Sequence, residues 1–299
     1  MTLSMEQNWR KAPGFYNVFT ETFLKTQPED TWGNQYFHIS DAQACGRKIW
    51  YRIMLARDPD LYKAWDFQEA DDTIEQVLTF GTGHAMHGLL QDHLVKHMAW
   101  CAPEDIEVPL RLPHLNMKGS VDAVAPVERY YQCSDLFGIG RERTGIIPGS
   151  HFVVDVKTKG DEVKSKWSPR EGKTTTRKFP DDIINYPDAK YFVQLQCYMT
   201  LLPRLYPERY PDVQRGYLLY VCKNDGRVFC IGVDKDDSIW DGIEQKAIFV
   251  MDCVERQIPP PRDYSRSHRE CRGTLIDGSY KYACQYQGLC WNDACANCT

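Results

Sequence analysis

An aspartate and a lysine separated by one residue, Asp155-Val156-Lys157, stand inside the apolar run Phe152 to Thr158. That pattern predicts a mostly buried strand whose functional end projects into a cleft. Side chains return to the same face of a strand every second residue, so Asp155 and Lys157 share a face. A carboxylate holds hard divalent cations, and an ammonium beside it can stabilise phosphate charge or help activate a water. The chemistry suggested is metal-dependent cleavage of a phosphodiester. Asp-X-Lys recurs by chance in many chains, so its meaning depends on what else can reach it.

Three other pieces could do so. Gly83-His84-Ala85-Met86-His87 falls in a predicted helix, Gly119-Ser120-Val121-Asp122 ends a predicted strand, and Gln194-Leu195-Gln196-Cys197-Tyr198 falls in another helix. Gln194 and Tyr198 are four apart and share a helix face. His93 and His97 have the spacing of a zinc pair, but no glutamate follows His93, so the metalloprotease pattern is absent.

In this order the four pieces resemble the RecB-like branch of the PD-(D/E)XK nuclease superfamily, over roughly residues 39 to 200. The resemblance implies a metal-dependent DNA exonuclease acting on single-stranded DNA or DNA ends. It implies Mg2+ or Mn2+ held by Asp122, Asp155, the Val156 backbone carbonyl and His87, whose spacing from Gly83 fits better than that of His84. Lys157 would orient the water or neutralise the transition state, and Gln194 and Tyr198 would position the scissile strand. A structure-specific endonuclease trimming flaps or spacers is one alternative. A non-catalytic DNA-binding iron–sulfur scaffold is the other.

Twelve cysteines are many for a chain whose first residues, Met1 to Pro13, lack an apolar signal core. A reducing cytoplasm disfavours disulfides, so clustered cysteines point to metal or cluster ligation. Five of the twelve lie in the last 29 residues. Cys45-Gly46-Arg47-Lys48-Ile49-Trp50-Tyr51 resembles the segment carrying the first cluster cysteine in iron–sulfur members of the branch, among them CRISPR-adaptation nucleases and AddB-type helicase–nuclease subunits. Cys284 and Cys290 match the family's Cys-X5-Cys, but position 281 is Lys. Cys271 is the favoured substitute, with Cys295 and Cys298 as rivals. The resemblance thus implies a 4Fe-4S cluster on Cys45, Cys271, Cys284 and Cys290; four thiolates could equally hold structural zinc.

The elements required to position these groups are legible from periodicity. Helices are expected from Ser40-Asp41 through Leu55, from about Asp72 to Trp100 with a break or bend near Gly81 and Gly83, from Asp188 to Leu202 ending at Pro203, and from Asp236 to Gln257. Ile106 to Leu110 and Met117 to Val124 read as an antiparallel pair, and Gly216 to Cys222 with Arg227 to Val233 as a hairpin about Asn224-Asp225-Gly226. Residues 126–150 read as a turn-rich insertion. The expected class is α/β: a PD-(D/E)XK core with a central mixed β-sheet flanked by helices and a C-terminal cysteine-rich clasp. The expected division is an N-terminal extension (1–38), the nuclease core (39–262) and the cluster-binding tail (263–299).

Composition is that of a globular chain, 42% hydrophobic and 26% charged over 299 residues, with no apolar run long enough to span a bilayer. The expected location is the cytoplasm, a host's if the gene is phage-borne. A net charge of −5 does not advertise nucleic-acid binding, but Lys157 to Lys178 holds eight basic residues against three acids. That stretch is expected to be a mobile loop in which Lys159, Lys164, Lys166, Trp167, Arg170, Lys173, Arg177 and Lys178 contact DNA. No P-loop is present. A motor would therefore be a separate helicase partner, and a recombinase or integrase is a further expected partner.

Overall fold

The computed structural model describes residues 33–65, 67, 74–128, 149–160, 162–168, 173–178, 188–266, 268, 271, 274–276, 279–281 and 284–291. In chain order these form β1 (Phe37–His38), α1 (Gly46–Arg57), α2 (Leu61–Ala64), α3 (Ile74–Lys96), β2 (Ile106–Leu112), β3 (Met117–Pro126), β4 (His151–Lys159), β5 (Glu162–Ser168) and β6 (Lys173–Lys178). There follow α4 (Ala189–Leu205), β7 (Val213–Cys222), β8 (Val228–Asp234), α5 (Ser238–Glu255), β9 (Thr274–Ile276), β10 (Ser279–Lys281) and α6 (Gln287–Trp291). Most of the 126–150 insertion, Arg170, Cys295 and Cys298 lie outside the described residues.

The architecture is α/β with one mixed sheet. β3 pairs antiparallel with β2 on one edge, and its other edge is shared by the short parallel β1 and antiparallel β4. β4 then pairs parallel with β7, whose other edge takes β8 antiparallel. The parallel pair needs a crossover, and α4 supplies it. Val153, Leu218 and Tyr220 face a core built with α1, α4 and α5. Phe152, Val154, Val156 and Val221 face the opposite side, under Leu94 of α3. Central β4 is therefore apolar on both faces except at Asp155 and the lysines that follow it, which is why its sequence reads as a nearly continuous hydrophobic run. No helix among the described residues is long and apolar enough to cross a membrane.

Four expectations change. The first helix begins at Gly46 rather than at Ser40-Asp41, where a 3-10 turn over Ile39–Asp41 stands instead. α3 runs unbroken through Gly81 and Gly83. A Cβ at Gly83 would lie 3.2 Å from Thr158 Oγ1 and 3.4 Å from Lys223 Nζ, so this glycine serves close approach of α3 to the strand ends rather than a bend. Pro203 does not end α4, which continues to Leu205 with the proline inside its last turn. The basic stretch is not a structureless loop, because β5 and β6 form their own antiparallel ladder with Val163 opposite Arg177 and Trp167 opposite Thr174. The Thr and Val content of these segments suits paired strands.

The tail closes against the start of α1. Gly46 N–H donates to Asp263 Oδ2 at 2.7 Å, buried Arg47 donates through Nε to the Pro260 carbonyl at 2.7 Å, and Trp50 Nε1 donates to the Cys253 carbonyl at 3.0 Å. Tyr286 stacks on Tyr51 with ring centres 5.5 Å apart. These contacts join segments more than two hundred residues apart. They close a loop whose entropic cost grows only logarithmically with its length.

Candidate active site

The site opens where β3 and β4 part. Their ladder runs from Pro126↔His151 to Ala123↔Val154 and stops there. The next β4 amide directed at β3 belongs to Val156, and it donates to the Asp122 carboxylate (Oδ2, 2.6 Å) instead of a backbone carbonyl. A residue's N–H and C=O face the same strand edge, so the Val156 carbonyl is presented to the same gap.

A slip shared by β2 and β3 sets up that gap. Val121 joins the core beneath α4, whereas Ala123, two residues on, joins the core beneath α3. On β2, Val108 and Ile106 divide between the two cores in the same way. A regular strand keeps residues two apart on one face. The change falls at Glu107 and Asp122, which lie between the paired positions Ile106↔Ala123 and Val108↔Val121. Glu107 accommodates it with φ of +50°, a left-handed conformation rare for such a residue. Its carboxylate accepts from Gln91 Nε2 (2.6 Å) and Ser120 Oγ (2.8 Å), and Gln91 also donates to the Asp122 carbonyl (3.2 Å). Gln91 stands one turn beyond His87 on α3, so this clamp holds the His87 turn to Asp122. Sequence reading missed Glu107, because Ile106, Val108, Leu110 and Leu112 alternate as an ordinary strand and no Gly or Asn marks the left-handed turn.

On the α4 side, Asp155 is 1% exposed. Its Oδ1 accepts from Lys157 Nζ at 2.8 Å, and its Oδ2 is buried without a hydrogen-bond partner. Lys157 Nζ also donates to Gln194 Oε1 at 3.3 Å, and Gln194 Nε2 donates to the hydroxyl of buried Tyr198. The two α4 residues thus line up behind the lysine, with Tyr198 orienting Gln194. His87 Nδ1 lies 3.6 Å from Asp122 Oδ2, while His84 lines the same cleft one turn away. That cleft has a volume of about 440 Å³ and runs from His87, Asp122 and Gln194 past Ser120 towards Lys118 and Arg52. His93 on α3 and His97 just past its end lie exposed with ring centres 5.0 Å apart, and neither lines the cleft.

The charges do not balance within this group. Burial, and then the Asp155 charge, hold the Asp122 carboxyl well above the usual range. Burial also raises Asp155, against the pull of Lys157. Lys157 stays protonated, because Asp155 and Asp122 outweigh its burial and raise it above the ordinary lysine value. Burial and the Lys157 ammonium lower His87, which leaves a neutral imidazole with a lone pair. Two carboxylates, one ammonium and a buried oxygen with no donor make a pocket short of positive charge. Such a donor set suits a hard divalent cation. Among the described residues, however, no three His, Cys, Asp or Glu side chains are gathered tightly enough to hold a metal ion as they stand.

The cysteines converge only partly. The Cys284 amide donates to the Cys271 carbonyl at 2.9 Å, and Cys45 and Cys271 are close enough for their charge to push the Cys284 thiol up, after burial. Cys290 Sγ accepts from Arg47 Nη1 at 3.8 Å. All four therefore sit at the junction of α1 with the tail. Of the basic-stretch residues, Lys159 lies near the centre, with its Nζ on Asp188 at 2.8 Å. Lys164, Lys166, Trp167, Lys173, Arg177 and Lys178 are carried on β5 and β6.

No protein-family model matches this chain, and no curated protein matches it. Among solved structures it is similar to the alkaline exonuclease LHK-Exo from Laribacter hongkongensis, at 11% identity and a TM-score of 0.41, covering 80% of this chain and 94% of that one. It is also similar to a protein named as a candidate exonuclease from Eubacterium rectale, at 12% identity and a TM-score of 0.38, covering 92% and 94%. Likeness this slight carries no argument about function, which has to come from the chain's own residues.

Proposed function

We propose that this chain is a metal-dependent deoxyribonuclease of the RecB-like PD-(D/E)XK type, acting as an exonuclease on single-stranded DNA or DNA ends. The observation that carries the reading is the buried Asp155–Lys157 pair, with its unpartnered Oδ2, set beside an Asp122 that takes the Val156 amide where two strands part. A protein using these groups only for stability gains little from a buried, charge-deficient cluster.

Asp122, Asp155, His87 and the Val156 carbonyl would hold Mg2+ or Mn2+. Such an ion supplies a water of lowered pKa and neutralises charge on the phosphate. Lys157, protonated throughout the physiological range, donates to a phosphate oxygen or to the attacking water; it is not a base. Gln194 keeps the ammonium in place, and Tyr198 keeps the Gln194 amide from rotating. Glu107 and Gln91 hold the His87 turn of α3 against Asp122.

The test is single-stranded DNA labelled at either end, with Mn2+ or Mg2+, beside a circular single strand. Release of mononucleotides or short products from one end, with the circle intact, is the expected result. Cutting of the circle transfers the assignment to an endonuclease that trims flaps or spacers. DNA binding without cleavage under either metal leaves a scaffold.

For the tail, the proposal is a 4Fe-4S cluster on Cys45, Cys271, Cys284 and Cys290, with zinc as the alternative. Support comes from the docking of their segments at the N-terminus of α1. Protein purified without oxygen is expected to be brown, and Cys45→Ser to bleach it and lower its melting temperature, since cluster binding is coupled to folding. Zinc without iron on elemental analysis would exchange the cluster for a zinc clasp. Neither metal would remove the proposal. A helicase, recombinase or integrase is the kind of partner this activity would serve.

A further inference from the structure

The carboxyl ends of the parallel strands β4 and β7 carry more lysines than the cleavage site, which uses Lys157, accounts for. Lys157 and Lys159 share a face of β4, and Lys190 stands in the first turn of α4. Their three Nζ atoms lie 4.7, 4.8 and 4.8 Å from the centre of a single ring, that of Tyr191. Asp155 pairs with Lys157 and Asp188 with Lys159, each at 2.8 Å. Among the described residues Lys190 makes no ion pair, and the first turn of α4 holds no acid. A fourth lysine, Lys223, follows β7 with its Nζ on the Thr79 carbonyl at 2.7 Å, and is near enough to Lys159 to feel its charge.

Asp155 and Asp188 offset Lys157 and Lys159, and Lys190 is the cation left over. A helix N-terminus is the positive end of its dipole and favours acids; Asp188 stands at the N-cap, but Lys190 follows in the first turn with no acid beside it. Like charges gathered at one point repel, and the face of one aromatic ring offsets that only in part. A charge placed against such local preferences without an acid of its own, as Lys190 is, marks a candidate functional position. An anion would meet Lys190 and relieve the crowding of the three ammonium groups, and in open α/β sheets ligands bind outside the carboxyl ends of the strands. With cations drawn to it, the Tyr191 ring is no platform for a base. It is a hub that holds ammonium groups where a phosphate can meet them.

We propose that Lys159 and Lys190, gathered by Tyr191, form a phosphate subsite for the backbone of a single DNA strand, adjoining the Asp155–Lys157 site. The proposal rests on the nuclease reading for the identity of that strand. Because Lys157 touches both Asp155 and the Tyr191 ring, the phosphate bound here neighbours the one presented for cleavage. Tyr191 is a positioning residue, since it acts through the lysines.

The experiment measures binding of a dye-labelled single-stranded oligodeoxynucleotide by the full chain in chelator, across a salt series. Cleavage with Mn2+ is followed in parallel. Lys190→Ala, at an exposed position, is expected to weaken binding about three- to tenfold at low salt and to reduce the salt slope by about 0.7, one single-strand phosphate contact. Tyr191→Leu is expected to match it, while Tyr191→Phe, which keeps the ring, binds as the wild type does. Far-UV circular dichroism confirms folding. Wild-type affinity and slope in both Lys190→Ala and Tyr191→Leu would overturn the subsite, as would a wild-type chain that does not bind the strand. The two readings fail separately. Loss of binding in the variants without any wild-type cleavage retains the subsite and removes the nuclease. Cleavage with unchanged variant binding does the reverse.

Discussion

Asp155→Asn is expected to abolish metal-dependent cleavage, with a fall in rate on the order of a thousandfold or more, while the protein stays folded and binds DNA in chelator as before. The size of the effect follows from the position of the side chain. Among the described residues Asp155 is the one carboxylate with a fully buried oxygen left without a donor, and its other oxygen anchors the lysine that contacts Gln194. An asparagine keeps the shape and can still accept from Lys157, but supplies no negative charge. Asp155→Ala should be as inactive and less stable. It strands the Lys157 ammonium, which is 13% exposed, and an unpaired buried charge costs roughly 3–5 kcal/mol, partly offset by relief at Asp122. End-labelled single-stranded DNA with Mn2+ reads the activity, and thermal melting reads the difference between the two variants. Cleavage by the Asn variant at the wild-type rate would remove Asp155 from the site.

The second large effect appears in the protein without metal. Asp122 holds its carboxyl well above the ordinary 3.8, because burial and Asp155 oppose its ionisation. Such a group binds more protons folded than unfolded. Its favourable contribution is present in acid and is lost as pH rises from about 3.8 through the raised folded value. Lys157 acts over a different range: raised above 10.5, it stabilises the fold at every lower pH and loses that contribution only above it. In chelator the wild-type melting temperature should therefore fall between mildly acidic pH and pH 8. Asp122→Asn should flatten that fall and melt higher at pH 8, by roughly 2 °C or more per kcal/mol relieved. The asparagine oxygen can still accept the Val156 amide, so the strand end stays capped. Mn2+ should then stabilise the wild type, by about 2.7 kcal/mol at a hundredfold excess over its Kd, and the variant much less. An equal pH slope in both proteins would show that the carboxylate repulsion is not there.

The same residues show how far periodicity reaches. The strands of β2, β3, β4, β7 and β8 and the helices of α1, α4 and α5 follow from alternation and turn chemistry, because one buried face imposes a period on each element. Expectations drawn from single residues fared less well. Two glycines suggested a bend in α3 that helix packing against Thr158 and Lys223 overrides. Pro203 suggested a stop, but it falls in the last turn of α4. A run of lysines suggested a loop, although its Thr and Val residues pair as β5 and β6. Charge density says little about backbone state when both faces of a ribbon can be solvated.

Residue type and spacing by themselves determined that an acid and a lysine share one face of a buried strand, and that Gln194 and Tyr198 share one face of a helix. Those are consequences of fixed periods, two and 3.6, that need no partner. Only the tertiary structure decided that β3 leaves β4 at Asp122, that Glu107 takes a left-handed turn to let it, and that Lys190 and Tyr191 join Lys157 and Lys159. Each depends on which strand lies beside which, and on where two ladders fall out of step. Pairing between segments far apart in the chain leaves no period in either one.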